Sequence, residues 1–255
     1  MIFVDTNIEF PIFAVRKKLQ KRHIMATKKE KEIKGEERLE NVESALSKTE
    51  LWIEEHQNLI YGIIIAIIVI AAAIWGLKAL NNKKDKKASA EIFVAQKYFE
   101  KGMYEEALTS DGNYLSFLDV YDSYSSTKTG KLAAYYAGIS YMKLGQYEDA
   151  INYLKKYNSN DKILAPMALG AIGDCYLELG EMKTAVSYYE KAANKSDNEF
   201  TGSTFLPKAA MTYELLEDYA NALKCYKTLK EKYPLSSEAF EIDKSIAKME
   251  EKMKH

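Results

Sequence analysis

Three stretches of the C-terminal part of the chain can be laid over one another, and this self-similarity restricts the fold more than any other feature. They read AAYYAGISYMKLGQYEDAINYL, LGAIGDCYLELGEMKTAVSYY and PKAAMTYELLEDYANALKCYKTLKEKYP. A small residue stands at Gly138, Gly173 and Ala210, and a tyrosine follows three positions later at Tyr141, Tyr176 and Tyr213. Nine residues on comes alanine, at Ala150, Ala185 and Ala222, and four beyond that a bulky side chain, Leu154, Tyr189 or Tyr226. The last unit closes with Pro234, and the units are offset by 35 and 37 residues. That ladder predicts two antiparallel helices per unit, the small residues permitting close approach and the large ones filling the gap between neighbours.

A degenerate earlier unit is visible in IFVAQKYFEKGMYEEAL, where Ala95, Tyr98, Gly102, Tyr104 and Ala107 take the corresponding places. Its second half departs from the pattern. Asp111 stands where a bulky residue belongs and 43 residues lead to the next unit, so a displaced second helix is expected over Tyr114 to Tyr121. After Pro234, the residues Ile242, Ile246, Met249 and Met253 share one helical face, which predicts a capping helix within 236–254 that covers the apolar side of the last repeat. The ladder resembles the tetratricopeptide repeat, whose unit is about 34 residues long. The resemblance covers residues 88–255 and implies an all-α solenoid of about four helical hairpins wound into a right-handed superhelix. It also implies a concave groove lined by the first helix of each unit. Carried over position by position, the lining is Ile92, Gln96, Phe99, Tyr135, Ile139, Met142, Asp174, Leu177, Met211 and Glu214. Such a lining, mainly apolar with an adaptable Met pair and acids toward the far end, suits an extended peptide or an amphipathic helix with some basic character.

Upstream of the repeats, nineteen residues from Leu59 to Leu77 carry no charge and are dense in Ile and Ala. With the apolar extension to Leu80 and snorkelling of Lys78, a helix over 59–80 reaches across the ~30 Å hydrocarbon core of a bilayer. Core helices usually keep a polar stripe, and this stretch is apolar all round. Trp52, Tyr61 and Trp75 lie near its ends as interfacial anchors do. The run begins too late and is too long for a cleaved signal peptide, so a single-pass anchor is expected. Its Gly62-x-x-x-Ala66 and Ala72-x-x-x-Gly76 spacings would let a second copy approach closely, giving a homodimer. Lysines crowd the C-terminal flank (Lys78, Lys83, Lys84, Lys86, Lys87), whereas residues 39–58 hold only Lys48, which by the positive-inside rule puts the repeats in the cytoplasm. Residues 81–87 are expected as a basic linker.

The first 58 residues are of two kinds. Residues 1–24 are short, partly apolar and without a period, and Met25 opens the solvated MATKKEKEIKGEE, so a translation start at Met25 is expected with 1–24 as an upstream extension. Residues 25–58 form a charged segment in which Leu39, Val42, Leu46 and Ile53 outline a short amphipathic helix, and Ser47 with Glu50 outlines a capping box. One membrane helix followed by repeats also resembles the YfgM-like proteins, ancillary partners of the bacterial Sec translocon and of periplasmic chaperones. That likeness implies inner-membrane anchoring, a cytoplasmic N-terminus and periplasmic repeats; periplasmic repeats are the expectation, and the local lysine bias makes a cytoplasmic placement the alternative.

Little else in the chain points to chemistry. The three histidines, His23, His56 and His255, leave the repeats without imidazole, so histidine acid–base or metal chemistry is not expected there. Two cysteines, Cys175 and Cys225, cannot build a disulfide framework or a four-ligand zinc site, and their places beside core tyrosines suggest buried free thiols. Gly170-Ala-Ile-Gly173-Asp174 lies inside a predicted helix with no Lys-Ser/Thr after it, so no phosphate loop is expected. Residues 1–87 carry 16 Lys and Arg against 12 Asp and Glu, and residues 88–255 carry 20 against 25, with no concentrated basic face for nucleic acid. The expectation is a non-enzymatic scaffold without cofactor or metal that binds proteins at a membrane.

Overall fold

The chain divides into two compact units, Met1–Ile74 and Trp75–His255. The computed structural model describes Trp52 and residues 55–196 and 198–254, and among these residues there is no strand. The proposed upstream extension, the amphipathic helix from Leu39 and the Ser47 capping box lie outside the described residues. Helix α1, Gln57–Glu91, begins in the first unit and ends in the second. In the first unit its side chains are exposed all round, with Ile65, Ile67 and Ile68 each 60 % accessible. The apolar stretch is therefore not covered by the rest of the described chain. It is long and apolar enough to cross a membrane, and none of it is buried within the protein.

The second unit is a row of helical hairpins. Helices α2 (Phe93–Glu100) and α3 (Tyr104–Leu108) form the degenerate first hairpin, followed by α4 (Phe117–Tyr124). The displaced helix thus starts three residues later than expected, because a capping box fixes its beginning. Ser116 Oγ accepts from the Asp119 N–H at 3.2 Å and Asp119 Oδ2 accepts from the Ser116 N–H at 3.0 Å. Before it, Asp111 Oδ1 accepts from the Asn113 N–H and holds the chain in a turn. Three regular hairpins follow: α5 (Lys128–Lys143) with α6 (Tyr147–Lys156), α7 (Leu164–Glu178) with α8 (Met182–Lys195), and α9 (Glu199–Leu215) with α10 (Tyr219–Lys232). A single 3-10 turn, Ser237–Ala239, leads to α11, Ile242–Lys252. Ile242 and Met249 of α11 are buried, but Met253 is 53 % exposed, so the covering face ends a turn earlier than its period suggests.

The register seen in the sequence is a register of contacts. At each hairpin corner the carbonyl of the repeat tyrosine accepts an N–H from five residues on: Tyr98 from Met103, Tyr141 from Gln146, Tyr176 from Glu181 and Tyr213 from Asp218. Such a corner needs one residue with positive φ. Gly102, Gly145 and Gly180 supply it, and in the last hairpin Glu217 is forced there at φ 59°. Between the helices of a hairpin, the small residue meets the bulky one: a β-carbon on Gly138 would lie 2.6 Å from Leu154 Cγ, and one on Gly173 would lie 2.7 Å from Tyr189 Cε1. Ala150, Ala185 and Ala222 are fully buried, as a close crossing requires.

Residues 81–87 are helical rather than a linker. Asn81, Asp85, Ala88 and Ser89 fall on one face of the helix at three- and four-residue spacing, and that face docks on the start of α5. Asn81 Nδ2 donates to the Ser126 carbonyl at 3.2 Å and Ser126 Oγ donates to Asn81 Oδ1 at 3.0 Å. Asp85 Oδ1 accepts from the Thr129 N–H at 2.8 Å, and the Ser89 and Thr129 hydroxyls meet at 2.9 Å. Ala88 is fully buried, while Lys83, Lys84, Lys86 and Lys87 face solvent.

Candidate partner-binding groove

The first helices of the hairpins place the expected lining residues unequally. Ile92 is a correction: it is 3 % exposed and sits in the core with Ala95, Ala133 and Ala137, because α1 and α2 meet there against α5. Phe99 is half-buried within a ring cluster, its centroid 5.0 Å from Tyr136 and 5.5 Å from Tyr104. Tyr135 is half-buried against Tyr157 at 5.3 Å, and burial raises its hydroxyl pKa. Gln96, Ile139, Met142 and Leu177 are half-buried, Ile139 and Met142 packing on the cluster around Leu154 and Cys175. Met211 is 60 % exposed.

The two acids of the lining are already engaged by the chain itself. Asp174 receives the Tyr189 hydroxyl at 2.7 Å and the Lys208 ammonium at 2.7 and 2.9 Å. Glu214 receives the Tyr226 hydroxyl at 2.6 Å and Lys248 of α11 at 2.6 Å. Burial disfavours the charged form of Glu214, but the Lys248 ammonium and Tyr226 hydroxyl outweigh it and hold the carboxyl below its ordinary range. Burial, reinforced by the acceptor carboxylates, raises the pKa of both Tyr189 and Tyr226, so each remains a donor. The same combination of burial and the Glu190 carboxylate pushes Tyr213 up to about 12. The groove therefore offers no unpaired acid at these two positions.

Three groups of this surface escape the sequence pattern. Lys208 and Lys248 each stand 34 residues after their acid, close to one repeat length, and that spacing is the signal by which they can be found. Leu215 lies one turn beyond Met211 on α9 and is 63 % exposed, so the two form an uncovered apolar strip. The cysteines are buried, and burial pushes the Cys175 thiol up to about 12 and Cys225 to about 11, as expected of packing residues. Among the described residues no group of His, Cys, Asp and Glu is placed to hold a metal.

Hairpins with this corner, this crossing and this spacing define a helical-repeat solenoid. The chain carries tetratricopeptide repeats: two models of that repeat match it, one over residues 135–199 and one over 208–236. Among solved structures, it is similar to the MamA protein at 16 % identity, with 66 % of this chain and 88 % of that chain covered and a TM-score of 0.45. A second MamA structure matches at 17 % identity over 63 % of this chain and 96 % of that one, with a TM-score of 0.41. A Podosopora anserina protein of nearly identical TPR-like repeats, of the kinesin light chain type, matches at 11 % identity over 67 % of this chain and 88 % of that one, with a TM-score of 0.47. No curated protein matches the chain.

Proposed function

We propose that this protein is a membrane-anchored scaffold whose groove holds an apolar segment of a partner protein. The observation that carries this reading is the strip Met211–Leu215, which stays 60 and 63 % exposed at the end of a helix whose middle apolar residues, Phe205, Leu206, Ala209 and Ala210, are buried, and whose other exposed apolar side chain, Phe200, lies in the first turn. With Asp174 and Glu214 neutralised internally, an amphipathic helix or extended apolar segment fits this surface, and a basic segment has no free acid at those two positions. Helix α1 supplies the anchor, restricting the search for the partner to the membrane surface and raising its local concentration. The small-residue spacing Gly62-x-x-x-Ala66 supports pairing of two anchors. Following the YfgM-like likeness, the partner belongs to protein export or folding at the bacterial inner membrane, as a translocon-associated chaperone or a newly exported chain. The lysines after the apolar run favour a second reading, a cytoplasm-facing adaptor that recruits soluble proteins.

Two experiments test these readings. A photo-crosslinking residue at Met211 in cells should capture a partner, and Leu215→Ser should abolish capture without loss of helicity; capture unaffected by Leu215→Ser counts against the groove. Alkaline phosphatase fused behind His255 is active only after export. Activity places the repeats in the periplasm and favours the export reading, and inactivity with an active cytoplasmic reporter leaves the adaptor.

A further inference from the structure

The repeat array has two edges of different charge. One edge carries the tight corners within hairpins and is acidic, with Glu105 and Glu106, Glu148 and Asp149, and Glu217 and Asp218 beside them. The other carries the connections between hairpins, which contacts link in a continuous line. Thr129 meets Asp85, and Lys128 and Lys131 share a cavity of about 630 Å³ with Asn158, Ser159, Asn160 and Asp161. Ser196 Oγ and Asn198 Nδ2 then both donate to the Lys162 carbonyl, at 2.6 and 3.0 Å.

This second edge carries lysines that no internal interaction explains. Lys195 and Lys232 lie in C-terminal helix turns, where the helix dipole favours a cation. Lys128 and Lys131 lie in the first turn of α5, where the dipole disfavours one, and Lys162 stands in a loop. Among the described residues Lys128, Lys131 and Lys162 make no ion pair. The acid of this loop has a local task, since Asp161 Oδ1 accepts from the N–H groups of Ile163 and Leu164. The lysine edge is also the one on which α1 docks through Asn81 and Asp85. There α1 turns Lys83, Lys84 and Lys86 to solvent, directly after Trp75, Leu77 and Leu80, which are 74, 68 and 60 % exposed. Exposed apolar side chains followed by unpaired lysines from two separate elements match the apolar-to-anionic profile of a lipid interface.

We propose that this lysine edge, built from Lys83, Lys84 and Lys86 of α1 and Lys128, Lys131 and Lys162 of the repeats, rests on an anionic phospholipid surface. The inference rests on the anchoring role of α1, and its test separates the two. The full chain is reconstituted in vesicles of phosphatidylcholine with or without phosphatidylglycerol, both containing a headgroup nitroxide quencher. A fluorophore on Asn82→Cys reports the anchor, one on Asn160→Cys the lysine edge and one on Gln146→Cys the opposite edge. The expected result is quenching at 82 in both vesicles, at 160 only with phosphatidylglycerol, and at 146 in neither. Lys128→Gln/Lys131→Gln/Lys162→Gln should then lower the docked-to-undocked ratio at 160 on the order of a hundredfold, about fivefold per lysine. Quenching at 82 with none at 160 overturns the lipid contact and keeps the anchor, as when an acidic protein is the true occupant. Equal quenching at 160 in both vesicles overturns the role of lipid charge. No quenching at 82 overturns the anchor and the lipid contact together.

Discussion

Replacing Gly173 with alanine tests the packing rule that orders the array. A β-carbon there would sit 2.7 and 2.8 Å from Cε1 and Cδ1 of Tyr189 and 3.2 Å from the Ala185 carbonyl oxygen. Carbon atoms in contact prefer about 3.5–4.0 Å, so the ring would have to retreat by roughly an ångström. It has little room to do so: Tyr189 is 1 % exposed, packed in the cluster with Val186, Phe205 and Leu206, and its hydroxyl is held by Asp174. Overpacking of this kind costs about 1–3 kcal/mol. A fully buried ring without room to retreat puts this cost in the upper part of that range, about 2–3 kcal/mol, and the better helix propensity of alanine returns up to about 1 kcal/mol, leaving a net loss of about 1–2 kcal/mol. For a domain of this size the midpoint of thermal unfolding should fall by about 2–8 °C, followed by far-ultraviolet circular dichroism on the full chain in detergent. Gly76→Ala is the control, because nothing lies within 4 Å of its β-carbon. Gly173→Ala/Tyr189→Leu should lose less than the sum of the single variants, since the smaller side chain removes the crowding. An unchanged or raised midpoint for Gly173→Ala would refute the idea that close approach at this crossing fixes the register.

The corners give a second prediction: Glu217→Gly should stabilise the chain by about 1 kcal/mol by removing a side chain from positive φ, while Gly180→Ala should destabilise it by a similar amount, read as opposite shifts of the denaturation midpoint. Acid should act through Asp85 and Glu214, both of which lie below their ordinary values; for Asp85, burial opposes the shift but the Thr129 N–H and hydroxyls overcome it. A depressed folded pKa gives stability that is full above the unfolded value of about 4 and is lost as pH falls through the folded one, so unfolding midpoints should be level from about pH 7 to 5 and drop below about 4. Asp85→Asn should reduce that drop, and an equally steep drop in the variant would remove Asp85 from the account. Cys175 and Cys225, buried and with raised pKa, should react with a thiol reagent at neutral pH only as fast as the chain opens; rapid labelling of the folded protein contradicts their placement.

Much of the fold was legible because repeats write the same contact several times. The small residue at 138, 173 and 210 and the bulky one at 154, 189 and 226 are found by spacing alone, and the structure places 138 against 154 and 173 against 189. The segment 81–87 was not legible as a docked helix. Its lysines dominate the composition, whereas the docking depends on Asn81, Asp85 and Ser89, polar residues whose partners Ser126 and Thr129 lie about forty residues away. Ile92 was assigned to the groove by carrying over a regular unit onto a degenerate one. There the preceding helix runs on into the hairpin and covers that position. For Asp174 and Glu214 the position was found but not the state, because an acid and the lysine that neutralises it are close to one repeat apart and no local window contains both.

That spacing also explains how the array ends. Asp174 meets Lys208 and Glu214 meets Lys248, and both pairs are 34 residues apart. Lys248 thus pairs with an acid of the last hairpin much as Lys208 pairs with an acid of the one before it, although α11 begins no further hairpin. Helix α11 packs on α10 as α9 packs on α8, so it occupies the place that the first helix of another unit would take. It closes the apolar face with Ile242 and Met249 and cancels the final acid with its lysine. The two acids being internally paired, the surface proposed to take a partner is apolar: Ile139 and Met142 at one end and Met211 with Leu215 at the other. Affinity for a protein segment in the groove should therefore change little between low and high salt, whereas contact of the lysine edge with anionic lipid should weaken steeply. A partner whose binding to the groove collapses in salt would show that Asp174 or Glu214 exchanges its internal lysine for the ligand, and that recognition there is ionic.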